Sequence, residues 1–340
     1  MPRLPESALR LLAVSLCLAA SGCSNETQDP PERPPGPPVV VYAARDADAM
    51  RRVLDAYTDE TGITVLLTTE SGRSLVERIS AEKHRATADL VILDSIGHLW
   101  TAVANDILRP SRSDILEKTI PEKLRDSDKL WFALLVFTRT IAYDKRKVER
   151  DELSNYSVLG DDRWRGELCL SSASDVDDQA QIAMMIREHG ERPTEYTVRS
   201  WVTNLAIPIV SDDTELLRAI EDGRCSLGVV NSDDLARFTR DHPGTAVRQF
   251  LPRATSGGTH ISVVGAAVTR HANNPAGALH LLEWLSSEKG QKLLATQDLE
   301  VPVNELSKWS ALQISPTNLS AAGFYHEDAV MLMERTRYAR

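Results

Sequence analysis

The chain has 340 residues, room for about two domains at roughly 150 residues each. Its 42% hydrophobic and 26% charged residues are those of an ordinary globular protein, which excludes disorder of the whole chain. Lys and Arg total 39 against 49 Asp and Glu, a net charge of -10, and this argues against a nucleic-acid binder, whose affinity rests on a basic surface.

The first segment reads as an address. Arg3 and Arg10 precede an apolar stretch, Leu11 to Ala20, too short to span a bilayer, which is the pattern of a secretory signal. It ends in Ala20-Ser21-Gly22-Cys23, matching a bacterial lipobox in which Cys23 is acylated and becomes the new N-terminus. The alternative is an ordinary signal peptide with an incidental cysteine. Six of the seventeen prolines fall between Ser24 and Pro38, a stiff polar spacer suited to tether a folded body to a lipid. Beyond Val39 no apolar run reaches the roughly 18 residues needed to cross a bilayer as a helix.

From Val39 the chain alternates between strand and helix patterns. Val39 to Tyr42 is a continuous apolar strand, and Ala49, Met50, Val53, Leu54 and Tyr57 then recur at helical spacing. Thr61-Gly62 is a helix stop, followed by a strand over Ile63 to Leu67. Leu75, Val76 and Ile79 mark a second helix, and Leu90 to Leu93 a strand that ends at Asp94. Trp131 to Val136 and Thr140 to Tyr143 read as two strand-like stretches, and Glu167 to Ser171 as a third. Ile182 to Ile186 lie on a helix, and Val198, Trp201, Val202 and Leu205 form the next apolar face. Leu227 to Val230 is a buried strand, with Leu235, Ala236 and Phe238 on the helix after it. Ile261 to Val268 is a long strand, and Ala278, Leu279, Leu281, Leu282 and Leu285 a helix face. Trp100, Trp131 and Trp201 read as core.

Continuous apolar strands alternating with helices imply largely parallel sheets covered on both faces. Two such units leave a crevice at the carboxyl ends of their strands. The loops after Tyr42, Leu93, Leu170 and Val230 are expected to face one cleft. Cys169 and Cys225 are free to pair in an oxidising compartment, but their spacing of 56 does not by itself bring them together.

The order of these segments resembles the ferric-iron-binding periplasmic proteins of ABC importers. The matching stretches are Val40 to Arg45, Asp59 to Ile63, Ala88 to Val91, Leu130 to Phe132, Arg163 to Gly166, Gly257 to His260, Asn274 to Ala278 and Leu285 to Gln291. The resemblance runs from about Val39 to Asn304. It implies a two-lobed α/β periplasmic binding protein fold of type II, with mainly parallel sheets covered by helices and a hinge of crossing strands. It implies lobes of residues 39–137 with 262–304 and 138–261 with 305–340, after a signal peptide over 1–22 and a tether over 23–38. It also implies a monomer that works with ABC permease and ATPase subunits in the periplasm.

The departures from that family carry the site. The family holds ferric iron chiefly through tyrosinates, two of them adjacent at the start of the helix after the strand Leu227 to Val230. Here that place reads Asn231-Ser232-Asp233-Asp234. The family's first-loop ligand falls near Asp46 and Ala47, and another tyrosine falls at or beside Asp177. Arg139, Tyr143 and Arg237 match the family as they stand. Carboxylates are hard oxygen donors, so Asp46, Asp177, Asp233 and Asp234 converging on one cleft would suit Fe³⁺, Ca²⁺, Mg²⁺ or Mn²⁺. Asp233-Asp234 and Asp177-Asp178 equally suit the positive start of a helix.

Other readings use the same loops. Arg45, Arg139 and Arg237 with helix N-termini could hold a small anion such as an organophosphate. A lipoprotein that presents its ligand to a sensory receptor fits the sequence as well as a transport component. His98 and His260 are candidate ligands or structural hydrogen-bonding residues. Catalysis is disfavoured: Ser95 with His98 and Ser256 with His260 are short Ser/His pairings, and neither carries a nucleophile elbow. No phosphate loop, zinc-protease or dinucleotide motif occurs either.

Overall fold

The structure is a computed structural model that describes residues 37–253, 257–295, 300–305, 314–315, 317 and 319–338. Cys23, the signal segment, the proline-rich tether as far as Gly36 and Ser256 lie outside the described residues.

The first half of the chain builds a layer of parallel strands. β1 (Val39–Ala43) leads into α1 (Ala47–Thr61), which buries Met50, Val53, Leu54 and Tyr57, the stripe that the helical spacing sets out. Gly62 ends that helix in the left-handed region, φ 71°, a conformation glycine adopts without steric cost. β2 (Val65–Thr69), α2 (Gly72–Glu82) and β3 (Leu90–Leu93) follow, with β1 pairing in parallel to β2 on one side and β3 on the other. α3 (Ile96–Ala104) and α4 (Asp114–Thr119) come next.

β4 (Phe132–Asp144) joins the two stretches read separately in the sequence into one strand of 13 residues, buried throughout. After it come β5 (Leu168–Cys169), α5 (Val176–His189), α6 (Glu191–Thr203), α7 (Asp213–Glu221), β6 (Leu227–Asn231), α8 (Ser232–Asp241) and β7 (Val247–Phe250). The chain then returns through β8 (Ile261–Val268) to α9 (Pro275–Ser286), α10 (Glu288–Leu294) and β9 (Val301–Pro302). It ends with α11 (Ser320–Phe324) and α12 (His326–Arg335).

The strands run in the order β2-β1-β3-β8-β4-β6-β5, with β7 and β9 also paired to β4. β4 changes partners midway: Phe132 to Thr138 pair with β8, and Arg139 to Tyr143 pair with β6. Its two halves thus belong to two sheets, one per lobe. The α/β class matches the sequence expectation, but strand direction is more mixed than continuous apolar runs imply. β1–β2, β1–β3 and β5–β6 are parallel, whereas every pairing made by β4 and β8 is antiparallel. These two strands read as apolar runs because helices cover both their faces, which is burial rather than direction.

One hydrophobic core gathers β1, β3, β8 and the first half of β4 against α1, α2, α3 and α9. In the other lobe, one cluster sets Ile141 and Tyr143 of β4 against α5, α6 and α12, and a second sets Ala142 against α7 and α8. Cys169 of β5 and Cys225 form a disulfide, with Cα atoms 5.9 Å apart, which answers the question their spacing left open. Trp131 and Trp201 are core residues as expected, and Trp100 packs against the core from its edge.

Candidate functional site

The carboxyl ends of β1, β3, β5 and β6 open into one cavity of about 710 Å³. The four loops expected to face a common cleft all reach it: Ala44 to Asp46 after β1, Asp94 and Ser95 after β3, Asp175 to Asp177 after β5, and Asn231 onward after β6. A larger hollow, about 1640 Å³, lies at the far ends of α3 and α5, lined by Val103, Arg187 and Phe324 among others. None of the four loops reaches it, so volume alone does not mark the site.

Helix starts place the polar side chains. Asp46 caps α1 by accepting from the Ala49 N–H at 2.8 Å. Ser71, Ser95 and Asp175 cap α2, α3 and α5 in the same way. At the start of α8, Asn231 makes no such capping bond, because its amide is drawn downward to Arg139 and Asp177. Helix N-termini favour negative charge, which is one reason acids gather here.

Eight carboxylates among the described residues line the cavity, against two arginines and one histidine. Most are already engaged. Glu300 grips Arg45 through both oxygens, Asp234 pairs with Arg237, and Glu70 pairs with Arg78 at 2.7 Å. Asp94 accepts from His98 Nδ1 at 2.7 Å. Asp233 differs: its Oδ1 is buried without a hydrogen-bond partner among the described residues, and Arg237 stands 3.7 Å from its other oxygen. Burial, with Asp234 and Glu300 close by, pushes the Asp233 carboxyl up to about 8. Burial opposes charge on the His98 ring, but the bond to Asp94 and the other acids outweigh it, so its pKa is raised.

Asp177 forms the cavity floor. Its Oδ1 accepts from Ser95 at 2.6 Å and Ser262 at 2.8 Å, and its Oδ2 from Asn231 at 3.1 Å. Beneath it, Arg139 is buried rather than lining the cavity, and bonds Asp178, Asn231 at 2.7 Å, Gln181 at 3.3 Å and Asp213 at 3.4 Å. Burial pushes Asp177 up to about 6 and Asp178 to about 7, since one guanidinium cannot fully offset the acids packed around it.

Asp46, Asp177, Asp233 and Asp234, with Arg45 and Arg237, are therefore brought to one cleft, and Arg139 to the layer under it. Among the described residues no group of three Asp, Glu, His or Cys side chains stands close enough to hold a metal ion. Asp46 follows β1, Asp177 lies in the first turn of α5, and Asp233 and Asp234 lie in that of α8, so the donors come from three separate elements. Asp94, Asp175, Glu70 and Glu300 also line the cavity and were missed in the sequence. Asp94 had a signal, as the first residue after an apolar strand; Glu300 had none, since it arrives from a segment remote in sequence. Ser95 and His98 form no nucleophile–base pair: Ser95 donates to Asp177, and His98 turns to Asp94. His260, the other candidate histidine, lies outside the cavity and bonds Glu188 at 3.0 Å.

Two lobes joined by crossing strands around a charged, ligand-sized cleft define a periplasmic binding protein of type II, a component of solute transport rather than an enzyme. The chain belongs to the bacterial extracellular solute-binding proteins, whose family model matches residues 52–312. It is 31% identical to iron uptake protein A1 of Synechocystis over 312 residues, covering 89% of this chain and 84% of that protein. A Trichodesmium protein, IdiA or FutA, solved in complex with iron and citrate ligands, superposes with a TM-score of 0.83 at 33% identity. That match covers 88% of this chain and 99% of its relative. Ferric iron-binding protein A of Mannheimia haemolytica, in an open conformation, gives a TM-score of 0.81 at 26% identity, covering 90% of this chain and all of the other.

Proposed function

We propose that this chain is the substrate-binding component of an ABC importer, capturing ferric iron or another hard cation in the cleft and delivering it to the permease. The observation that carries the choice of cargo is Asp233 Oδ1, a buried carboxylate oxygen with no donor among the described residues, in a cleft whose other acids are largely engaged. Such an oxygen costs free energy until a cation or a proton reaches it. The relatives named for iron uptake agree with this reading. An anion such as an organophosphate would have to displace Glu300 from Arg45 or Asp234 from Arg237, and would meet the remaining acids.

The proposed ligand set is Asp46, Asp233 and Asp234, with Asp177 at the floor. Asp177 is the least free of the four, since three donors already hold its oxygens. Arg45 and Arg237 serve as counter-ions that hold neighbouring acids in place, with Arg139 below. The lobes are taken as residues 39–137 with 262–304 and 138–261 with 305–340, hinged on β4 and β8. A cation shared by both walls would favour the closed state by its differential affinity for it. The lipobox reading of Cys23 makes the protein a membrane-anchored lipoprotein facing the periplasm.

Titration calorimetry of the full chain with ferric citrate tests the cargo. Micromolar or tighter binding is expected; heat from sugar phosphates alone, with none from iron, would overturn the cation reading.

A further inference from the structure

The ligand set above consists of oxygens, yet one cleft residue carries a nitrogen donor. We propose that His98 binds the cation through Nε2, held in place by Asp94, and that this nitrogen makes the cleft select an imidazole-binding transition metal over Ca²⁺ and Mg²⁺. The inference rests on the cation reading of the same cleft.

The geometry begins with sequence spacing. Asp94 is the first residue after β3, and His98 follows one helical turn later in α3, so the two side chains meet. A carboxylate only accepts hydrogen bonds, so the 2.7 Å contact assigns the ring proton to Nδ1. In the neutral ring Nε2 is then the nitrogen with the lone pair, any proton there leaving as the cation arrives, and it has no hydrogen-bond partner among the described residues. His98 lines the cavity with its side chain 15% exposed, a ring fixed in the wall with one edge open. Metal-binding histidines are commonly fixed in this way, the distal N–H given to a carboxylate that sets tautomer and orientation and raises basicity.

Gly72 adds an independent observation. It is the first residue of α2, and a Cβ placed there would overlap both His98 Nδ1 and Asp94 Oδ1. α2 therefore packs directly on the pair, and absence of a side chain at residue 72 lets the ring and carboxylate keep their positions. His98 belongs to the β3–α3 wall and Asp233 to the β6–α8 wall. Closure of the cleft would bring a nitrogen and an oxygen donor to one ion. Hard cations such as Ca²⁺ and Mg²⁺ prefer all-oxygen sites, whereas imidazole suits iron and its neighbours in the first transition row.

The test is electron spin echo envelope modulation on the full chain loaded with Fe³⁺ added as ferric citrate, which contains no nitrogen. The expected spectrum shows modulation from a directly bound imidazole, altered in protein carrying ¹⁵N-histidine and lost in His98→Gln. Iron affinity in that variant should fall at least tenfold. If His98→Gln does not fold, Gly72→Ala replaces it, and the same loss is expected because the new methyl displaces the ring. Iron bound at full affinity without nitrogen modulation would overturn the role of His98 and leave the cargo assignment standing. No iron binding at all would remove both.

Discussion

Ser95 caps α3 in one lobe and donates its hydroxyl to Asp177 of α5 in the other, at 2.6 Å, so the floor of the cleft is stitched by a single buried carboxylate. The same carboxylate takes Ser262 of β8 and Asn231 of β6, and Asn231 passes the connection on to Arg139. Asp177→Ala would leave three donors without an acceptor, at a cost of about 1–3 kcal/mol for each one that water does not reach. Removing a buried charge offsets part of that, so urea unfolding should show a net loss of about 2 kcal/mol. Iron affinity measured on the same variant then reports whether Asp177 is also a ligand; an effect on stability without one on affinity assigns it to the floor alone.

Asp233 should show the opposite balance. Its folded pKa, about 8, lies above the ordinary carboxylate value, so the folded state holds a proton that the unfolded chain has released. Its contribution to stability is full below about pH 4 and is lost as pH rises through about 8. Asp233→Asn should therefore flatten the decline of cation-free stability over that window, read as melting temperature against pH. In Asp233→Ala with Asp234→Ala, iron binding should weaken by well over tenfold, more than 1.4 kcal/mol. Unchanged affinity would reduce both acids to helix-start residues.

The Cys169–Cys225 disulfide closes a sequence separation of 56 within one lobe. Loop-closure entropy puts its stabilisation at about 4 kcal/mol. Cys169→Ser with Cys225→Ser should lower protection from hydrogen exchange in β5, β6 and α7 while leaving β1, β2 and β3 close to unchanged. Equal loss in both lobes would mean that the two unfold as one unit.

Cys23→Ala should move the protein from the membrane fraction to the soluble one, with loss of palmitate labelling. Continued labelling would defeat the lipobox reading.

Much of this molecule is legible in its sequence because burial writes period and composition directly. Val39 to Tyr42, Leu90 to Leu93, Leu227 to Val230 and Ile261 to Val268 stand out as apolar runs, and the acids after them point to the cleft. The direction of β4 and β8 is not legible, since a strand buried on both faces has the same composition in either direction. Glu300 joins the site only through the fold, and the disulfide depends on proximity that spacing does not encode. Arg139 shows a further limit: the sequence ranks it with Arg45 and Arg237, yet it is a fully buried anchor under the floor.

Because β4 passes from one sheet to the other between Thr138 and Arg139 without leaving its hydrogen-bond ladder, the halves cannot drift like beads on a string. Any movement between them would turn about that shared strand, as covers turn on a book's spine. An empty protein and a loaded one would then present a permease with the same pair of surfaces at two different angles. That would let a membrane partner distinguish them by shape alone, without contact with the cargo.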